Sequence, residues 1–322
     1  MLKPLRDRVQ VLVALGLVLA AAACGGGDGK GPATPPGAGA TSVDGDGASA
    51  RGKIAFIAFR DGGQEIYVMN ADGSDQHNLT NDPGEDFDPD WSPDGKQIAF
   101  ASDRTGTAHI YVMDADGANL RQLSGDEGGT SPRWSRDGSR IAFSRAGSIF
   151  VMNVDGSGEA VVMEAQMEAE AAACRAGSFP GGWSPDDDAI VYYSASLTRG
   201  TGQVCTVRTD GSGIEMIVGD DENYYVEPVW SPDGSSIVYR SVQGGVHDIW
   251  TVDLASGERT NVTADPDLDV EPDWSPDGQR IVFASLRPEA PNFDIFTMRK
   301  DGSDVRRLTD DAAKDAYPVW TP

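Results

Sequence analysis

Trp91-Ser92-Pro93-Asp94-Gly95, followed by Ile98-Ala99-Phe100-Ala101 and then by Ile110-Tyr111-Val112-Met113-Asp114-Ala115-Asp116-Gly117, is the stretch from which the fold can be read. Ser-Pro-Asp-Gly suits a tight turn: proline presets φ, serine and aspartate bond to nearby backbone, and glycine tolerates positive φ. The apolar run after it is continuous where a half-exposed strand would alternate, so both of its faces must be covered. Ile110–Met113 is a further strand. The Asp-Gly turn after it leads into a fourth, Arg121-Gln122-Leu123. Asp114-Ala115-Asp116-Gly117 lacks the remaining ligands and the glutamate of a calcium-binding EF-hand, and it stands where a hairpin turn is already required.

The same order of strand and turn recurs with a period in the forties, the range of propeller blades. The tryptophan turn appears again at Trp134, Trp183, Trp230 and Trp274, and, cut short, at Trp320-Thr321-Pro322. The first unit, Gly52-Lys53-Ile54-Ala55-Phe56, has no tryptophan strand before it, whereas Tyr317-Pro318-Val319-Trp320 has nothing after it. Joined, these ends complete one blade and close the ring without an open edge. The expectation is an all-β, six-bladed propeller of four-stranded blades over residues 51–322.

These residues resemble the TolB-like propeller family, whose repeat is built on Trp-Ser-Pro-Asp-Gly, Ile-Ala-Phe and Ile-Tyr-Val-Met-Asp-Ala-Asp-Gly. The resemblance covers nearly all of 51–322 and implies a domain that works outside the cytoplasm by binding other proteins. The family's namesake also carries an α/β domain before its propeller. Here residues 1–50 read instead as leader and linker.

Residues 1–23 have Lys3, Arg6 and Arg8 ahead of an apolar run too short for a membrane span, which is the pattern of a signal peptide. The run ends at Ala21-Ala22-Ala23-Cys24-Gly25, similar to the lipobox of bacterial lipoproteins although Ala21 replaces the usual leucine. The two readings are lipidation of Cys24, giving a chain anchored to a bacterial membrane by its N-terminal lipid alone, and simple cleavage at an Ala-x-Ala site. Residues 24–50, rich in Gly, Ala and Pro, hold nothing that builds a core and make a flexible tether with a reach of roughly 30 Å. Acidic residues number 51 against 26 basic ones, a formal charge of −25. That field repels phosphate backbones and argues against nucleic acid as a partner.

With strands running up and down, both kinds of turn fall on one face of the disc. The long acidic loops that lead into the tryptophan strands fall on the other. The position three residues before the tryptophan holds Asp88, Ser131, Glu227, Glu271 and Tyr317, with blade four read as shifted by an inserted residue at Phe179-Pro180-Gly181-Gly182. These side chains are expected to ring the mouth of the central channel. Asp88, Glu227 and Glu271 there have three readings: oxygen ligands for Ca²⁺, a seat for a basic residue of a partner, or acceptors for neighbouring backbone amides. No Gly-x-Ser-x-Gly is present, and His77, His109 and His247 lack zinc spacing. Cys174 and Cys205 are brought to one side by the topology, and an oxidising compartment favours a disulfide between them over two free thiols. The function expected from all this is a monomeric, membrane-anchored binding module that recruits a protein or polysaccharide of the cell envelope. The alternative is a metal-dependent lyase or hydrolase acting on carbohydrate through the mouth carboxylates.

Overall fold

The structure, a computed structural model, describes residues 52–60, 62–166, 173–196 and 200–322. The expected signal peptide, the expected lipidation at Cys24 and the expected 24–50 linker lie outside the described residues, as does 167–172 in the insertion before blade four. One compact unit runs from Ser49 to Pro322. Its described residues form 24 strands and no helix.

Blade one is β1 (Lys53–Ala58), β2 (Glu65–Asn70) and β3 (His77–Asn78), completed by β24 (Asp315–Trp320). Blade two is β4 (Asp86–Trp91), β5 (Gln97–Ser102), β6 (His109–Asp114) and β7 (Arg121–Gln122). Blade three is β8 (Thr130–Trp134), β9 (Arg140–Arg145), β10 (Ser148–Asn153) and β11 (Ala160–Met163). Blade four is β12 (Gly177–Trp183), β13 (Ala189–Ser196), β14 (Thr201–Arg208) and β15 (Glu215–Val218). Blade five is β16 (Tyr224–Trp230), β17 (Ser236–Gln243), β18 (Val246–Asp253) and β19 (Arg259–Asn261). Blade six is β20 (Leu268–Trp274), β21 (Arg280–Leu286), β22 (Asp294–Arg299) and β23 (Arg306–Arg307). Within each blade the strands pair antiparallel in chain order, and β24 closes the ring on β1 through Ile54↔Trp320 and Ala55↔Val319. The six tryptophan strands contact one another in succession, β24 returning to β4, so they form the inner ring.

The continuous apolar runs now have their explanation. Successive residues of a strand point to opposite faces, and each face of a blade meets a neighbouring blade. Ile54, Phe56 and Ala58 of β1 pack on Val282, Ala284 and Ile295 of blade six, while Ala55 and Ile57 pack on Ile98, Phe100 and Tyr111 of blade two. The core is thus divided into six clusters, one at each seam between blades. Each buried isoleucine or phenylalanine contributes about 1.5–3 kcal/mol.

In the tryptophan turns the serine hydroxyl donates to the aspartate two residues on and accepts the amide that opens the next strand. For Ser92 these bonds are 2.8 Å to Asp94 and 2.9 Å from Gln97 N–H. The arrangement recurs at Ser135, Ser184, Ser231 and Ser275. Among the Asp-Gly turns, Gly73 has φ +86°, and a Cβ there would lie 2.5 Å from the Leu308 carbonyl oxygen of blade six, so glycine is required twice over.

Two departures from the repeat fit each other. Blade three has Arg136 where the other complete turns have proline, and blade four has Asp187 where they have glycine. Asp187, at φ 58°, accepts the backbone N–H of Arg136 at 2.7 Å and that of Asp137 at 2.8 Å. A proline at 136 has no N–H to give. The pair links adjacent blades on the turn face.

Cys174 and Cys205 are joined in a disulfide with a Cα–Cα distance of 5.9 Å, which ties the approach to β12 to the third strand of the same blade. Both cysteines are buried against Trp183 and Tyr192, and the Tyr192 hydroxyl donates to the Cys174 carbonyl at 2.8 Å.

The Arg136–Asp187 link predicts a coupled response to mutation. Arg136→Pro should cost about 1 kcal/mol in the native background and close to nothing in Asp187→Gly, because the amide it deletes then has no acceptor to lose. Urea unfolding of the four proteins measures the coupling directly.

Candidate functional site

The site is built from a defect repeated around the ring. In five tryptophan strands the pairing slips by one residue just before the tryptophan, as between Phe87 and Asp90 on β4 and between Val270 and Asp273 on β20. These are β-bulges, and a proline follows the bulged residue in each, where the missing N–H leaves no ladder bond unmade. The bulged residues are Asp88, Ser131, Glu227, Glu271 and Tyr317, with φ between 50° and 57°. None is glycine. A left-handed conformation costs such residues about 1–2 kcal/mol each, so the surroundings must hold them there.

Blade four corrects one expectation. Phe179 pairs with Tyr193 as Phe87 pairs with Ala101, and both phenylalanines stand four residues before their tryptophan, so nothing is inserted. Pro180 occupies the bulge position, its ring excludes positive φ, and the slip moves on to lie between Pro180 and Gly182. Gly181 cannot carry a side chain, since a Cβ would fall 1.8 Å from the Pro228 carbonyl oxygen.

The bulged side chains reach across to the next blade. Asp88 accepts both the N–H (3.1 Å) and the hydroxyl (2.9 Å) of Ser131. Glu227 accepts the N–H of Glu271 at 2.8 Å, and Glu271 accepts that of Tyr317 at 2.6 Å. A second tier lies two residues further on, where Asp90 accepts Trp134 N–H at 2.6 Å and Asp273 accepts Trp320 N–H at 2.8 Å. Burial pushes Asp90 and Glu271 up to about 7 and Asp273 to about 6.

Each of the three bulged carboxylates also faces a cation. Arg240 bonds Glu227 at 2.9 Å, the charge of Arg133 acts on Asp88, and that of Lys314 on Glu271. No three of the described His, Cys, Asp or Glu side chains are placed to hold a metal ion together. Asp88, Glu227 and Glu271 accept neighbouring amides. The three histidines stand apart: His77 is exposed in blade one, His109 is buried in blade two beside Gln122 and Ser124, and His247 lies in blade five.

Two residues of the mouth escape a reading confined to the tryptophan strand. At the fifth position of the second strand most blades carry a small or aliphatic residue: Ile57, Ala101, Ser144 and Ala284. Blades four and five carry Tyr193 and Arg240. Tyr193 stacks on Phe179 with ring centroids 5.0 Å apart and lies within electrostatic reach of Tyr224, Glu227, Asp88 and Arg240. Burial holds the hydroxyls of Tyr193 and Tyr317 well above the usual tyrosine range, so they remain protonated donors. The signal was present in the repeat alignment as two large polar residues at a position that is otherwise small or aliphatic.

Glu271 gives a test of the ring of acceptors. Glu271→Gln keeps an oxygen for the Tyr317 amide and does not ionise, so at pH 7 it should be at least as stable as the native chain, whereas Glu271→Ala strands that amide and should cost about 1–3 kcal/mol in urea unfolding.

Comparison with known proteins agrees with this architecture. The family described as the TolB beta propeller domain (PD40) matches residues 42–212 and 171–322. An uncharacterized protein of Agrobacterium fabrum is 29% identical over 192 residues, covering 60% of this chain and 62% of that protein. The Tol-Pal system protein TolB of Anaeromyxobacter dehalogenans is 30% identical over 122 residues, covering 38% of this chain and 27% of that protein. The chain thus matches less than two thirds of the length of either relative. The crystal structure of TolB from Acinetobacter baumannii superposes with a TM-score of 0.68 at 20% identity, over 84% of this chain and 67% of that one, a likeness of fold. With the family repeat matched along most of its length and closed into six blades as that repeat requires, this chain belongs to the TolB β-propeller family.

Proposed function

We propose that this propeller is a binding module that works outside the cytoplasm, tethered by a lipid on Cys24, and that it recruits a protein partner through its loop face. The observation that carries the reading is the group Tyr193, Tyr224, Tyr317 and Arg240, half-buried together at the mouth of the inner ring. Tyrosine and arginine are the residues that dominate recognition surfaces, because they offer large rigid area and hydrogen bonds at low entropic cost. The rigid ring behind them holds that group in one geometry before a partner arrives, which lowers the cost of binding. A net charge of −25 steers partners with basic surfaces toward the domain.

The test uses the purified chain as bait for envelope extracts, compared with Tyr193→Phe/Tyr224→Phe, which removes only the two hydroxyls, and with Tyr193→Ala/Tyr224→Ala. A protein partner retained by the native chain, released by moderate salt and lost stepwise through the two variants supports the reading. Equal capture by all three chains, or capture of a glycan in place of a protein, sinks it. Calorimetric titration with Ca²⁺ of the native chain and of Asp88→Asn/Glu227→Gln/Glu271→Gln decides the cation expectation separately. Saturable heat lost in the triple variant would assign an ion to the mouth.

A further inference from the structure

The buried charged residues among those described are Glu65, Asp86, His109, Asp269, Asp294 and Asp315. The five acids lie where a third strand and the next tryptophan strand begin, on the loop side of the seams. One construction appears at three seams. An acid near the start of a third strand (Glu65, Asp248 or Asp294) sits beside a threonine of the following loop (Thr80, Thr263 or Thr309), whose hydroxyl accepts the next strand amide at 2.9–3.0 Å. Opposite it, a second acid opens or nearly opens the tryptophan strand of the next blade: Asp86, Asp269 or Asp315. An arginine following the second strand of that next blade reaches back to the second acid: Arg104 to Asp86 at 2.8 Å, Arg287 to Asp269 at 3.4 Å, and Arg60 to Asp315 at 2.6 Å.

The cations do not match the acids everywhere. Between blades six and one, Asp294 has its own partner, Arg307 at 2.7 Å, while Arg60 serves Asp315 and lies 3.9 Å from Asp311. Between blades one and two, Arg104 serves Asp86 and lies 3.9 Å from Asp82, so Glu65 is left with the Thr80 hydroxyl at 2.6 Å and the Asp82 amide at 3.4 Å. Between blades five and six, Arg287 is shared by Asp265, Asp267 and Asp269. Asp248 is left with the Asn261 amide group on one oxygen, at 2.9 Å, and with the Thr263 hydroxyl beside it, while its other oxygen is shut off from solvent and no guanidinium pairs with it. Two seams therefore each hold one carboxyl that no guanidinium neutralises.

We propose that Glu65 and Asp248 are proton-operated locks between blades: protonated, each closes its seam on the loop face, and ionised, each leaves an uncompensated charge that loosens the seam. An uncompensated charge in such surroundings is costly, and a carboxyl escapes the cost by keeping its proton. Burial shifts both groups upward, with Asp86 adding to the shift of Glu65 and Asp265 to that of Asp248, against hydrogen bonds from Thr80 and the Asp82 and Asn81 amides to Glu65 and from Asn261 and Thr263 to Asp248. A folded-state value above the unfolded one gives stability that is complete below the unfolded value, about 4, and is lost as pH rises through the folded value. The ring tightens in mild acid.

The full chain and the variants Glu65→Gln, Asp248→Asn and their combination are melted by scanning calorimetry at pH 5, 6, 7 and 8. The amides imitate the protonated acids, so the double variant should melt a few degrees above the native chain at pH 8, with the gap narrowing steadily toward pH 5. Asp90, Asp273 and Glu271 of the inner ring, Asp88, and the paired seam acids Asp86, Asp269, Asp294 and Asp315 shift in the same direction through burial, so the double variant should keep part of the native slope. A double variant that melts below the native chain at pH 8, or that keeps the whole slope, overturns the proposal. Hydrogen exchange of the native chain at pH 5.5 and 7.5, corrected for the intrinsic rate, gives an independent reading. Protection should rise in acid at residues 79–86 and 261–269 by more than at 309–315, where the seam between blades six and one pairs both of its acids with guanidinium groups. Equal change at all three segments overturns the proposal as well.

Discussion

The rest of the structure depends on the bond between one tryptophan strand and the next. Among the described residues every strand belongs to a blade, and neighbouring blades grip each other directly, in both directions. Tryptophan side chains reach back, Trp91 to the Val319 carbonyl at 3.2 Å and Trp183 to that of Arg133 at 2.9 Å. Carboxylates reach forward from the bulged position to amides of the following blade. The left-handed backbone of the bulge turns each side chain toward its neighbour, and those bonds offset its conformational cost.

The same economy explains why so acidic a chain forms a tight fold. Many of its aspartates are internal acceptors. They cap turns in the Ser-Pro-Asp-Gly and Asp-Gly hairpins, where hydroxyl and amide donors hold Asp94, Asp137 and Asp233 down near 2. They join blades at the inner ring and pair with arginines stacked on aromatic rings, as Arg104 lies over Phe100 and Tyr111. Shift direction follows place: exposed turn aspartates gain donors without losing water, whereas acids of the seams and inner ring lose water first.

This division bears on the proposed binding role. The turn face is formed by short, repeated, self-satisfied hairpins, and variation is concentrated on the opposite face, in the loops before each tryptophan strand and in blades four and five. Blade four carries the disulfide, the proline bulge and Tyr193; blade five carries Arg240 and Tyr224. A partner meeting the mouth would meet the part of the ring where the repeats differ most.

The sequence by itself determined the blade count, the strand order and the joining of the two ends, because those follow from periodicity, turn chemistry and strands that are apolar on both faces. It also picked out Asp88, Ser131, Glu227, Glu271 and Tyr317 as one equivalent set, since equivalence is a matter of spacing. What that set does was decided by the tertiary structure alone. A carboxylate looks the same in sequence whether or not an amide faces it, and only the bulge geometry and the neighbouring blade show which amides these carboxylates accept. Tyr193 and Arg240 join the mouth from another strand, and Glu65 meets Asp86 across a seam. Such meetings depend on which faces two blades turn toward each other, and that is fixed only when the ring closes.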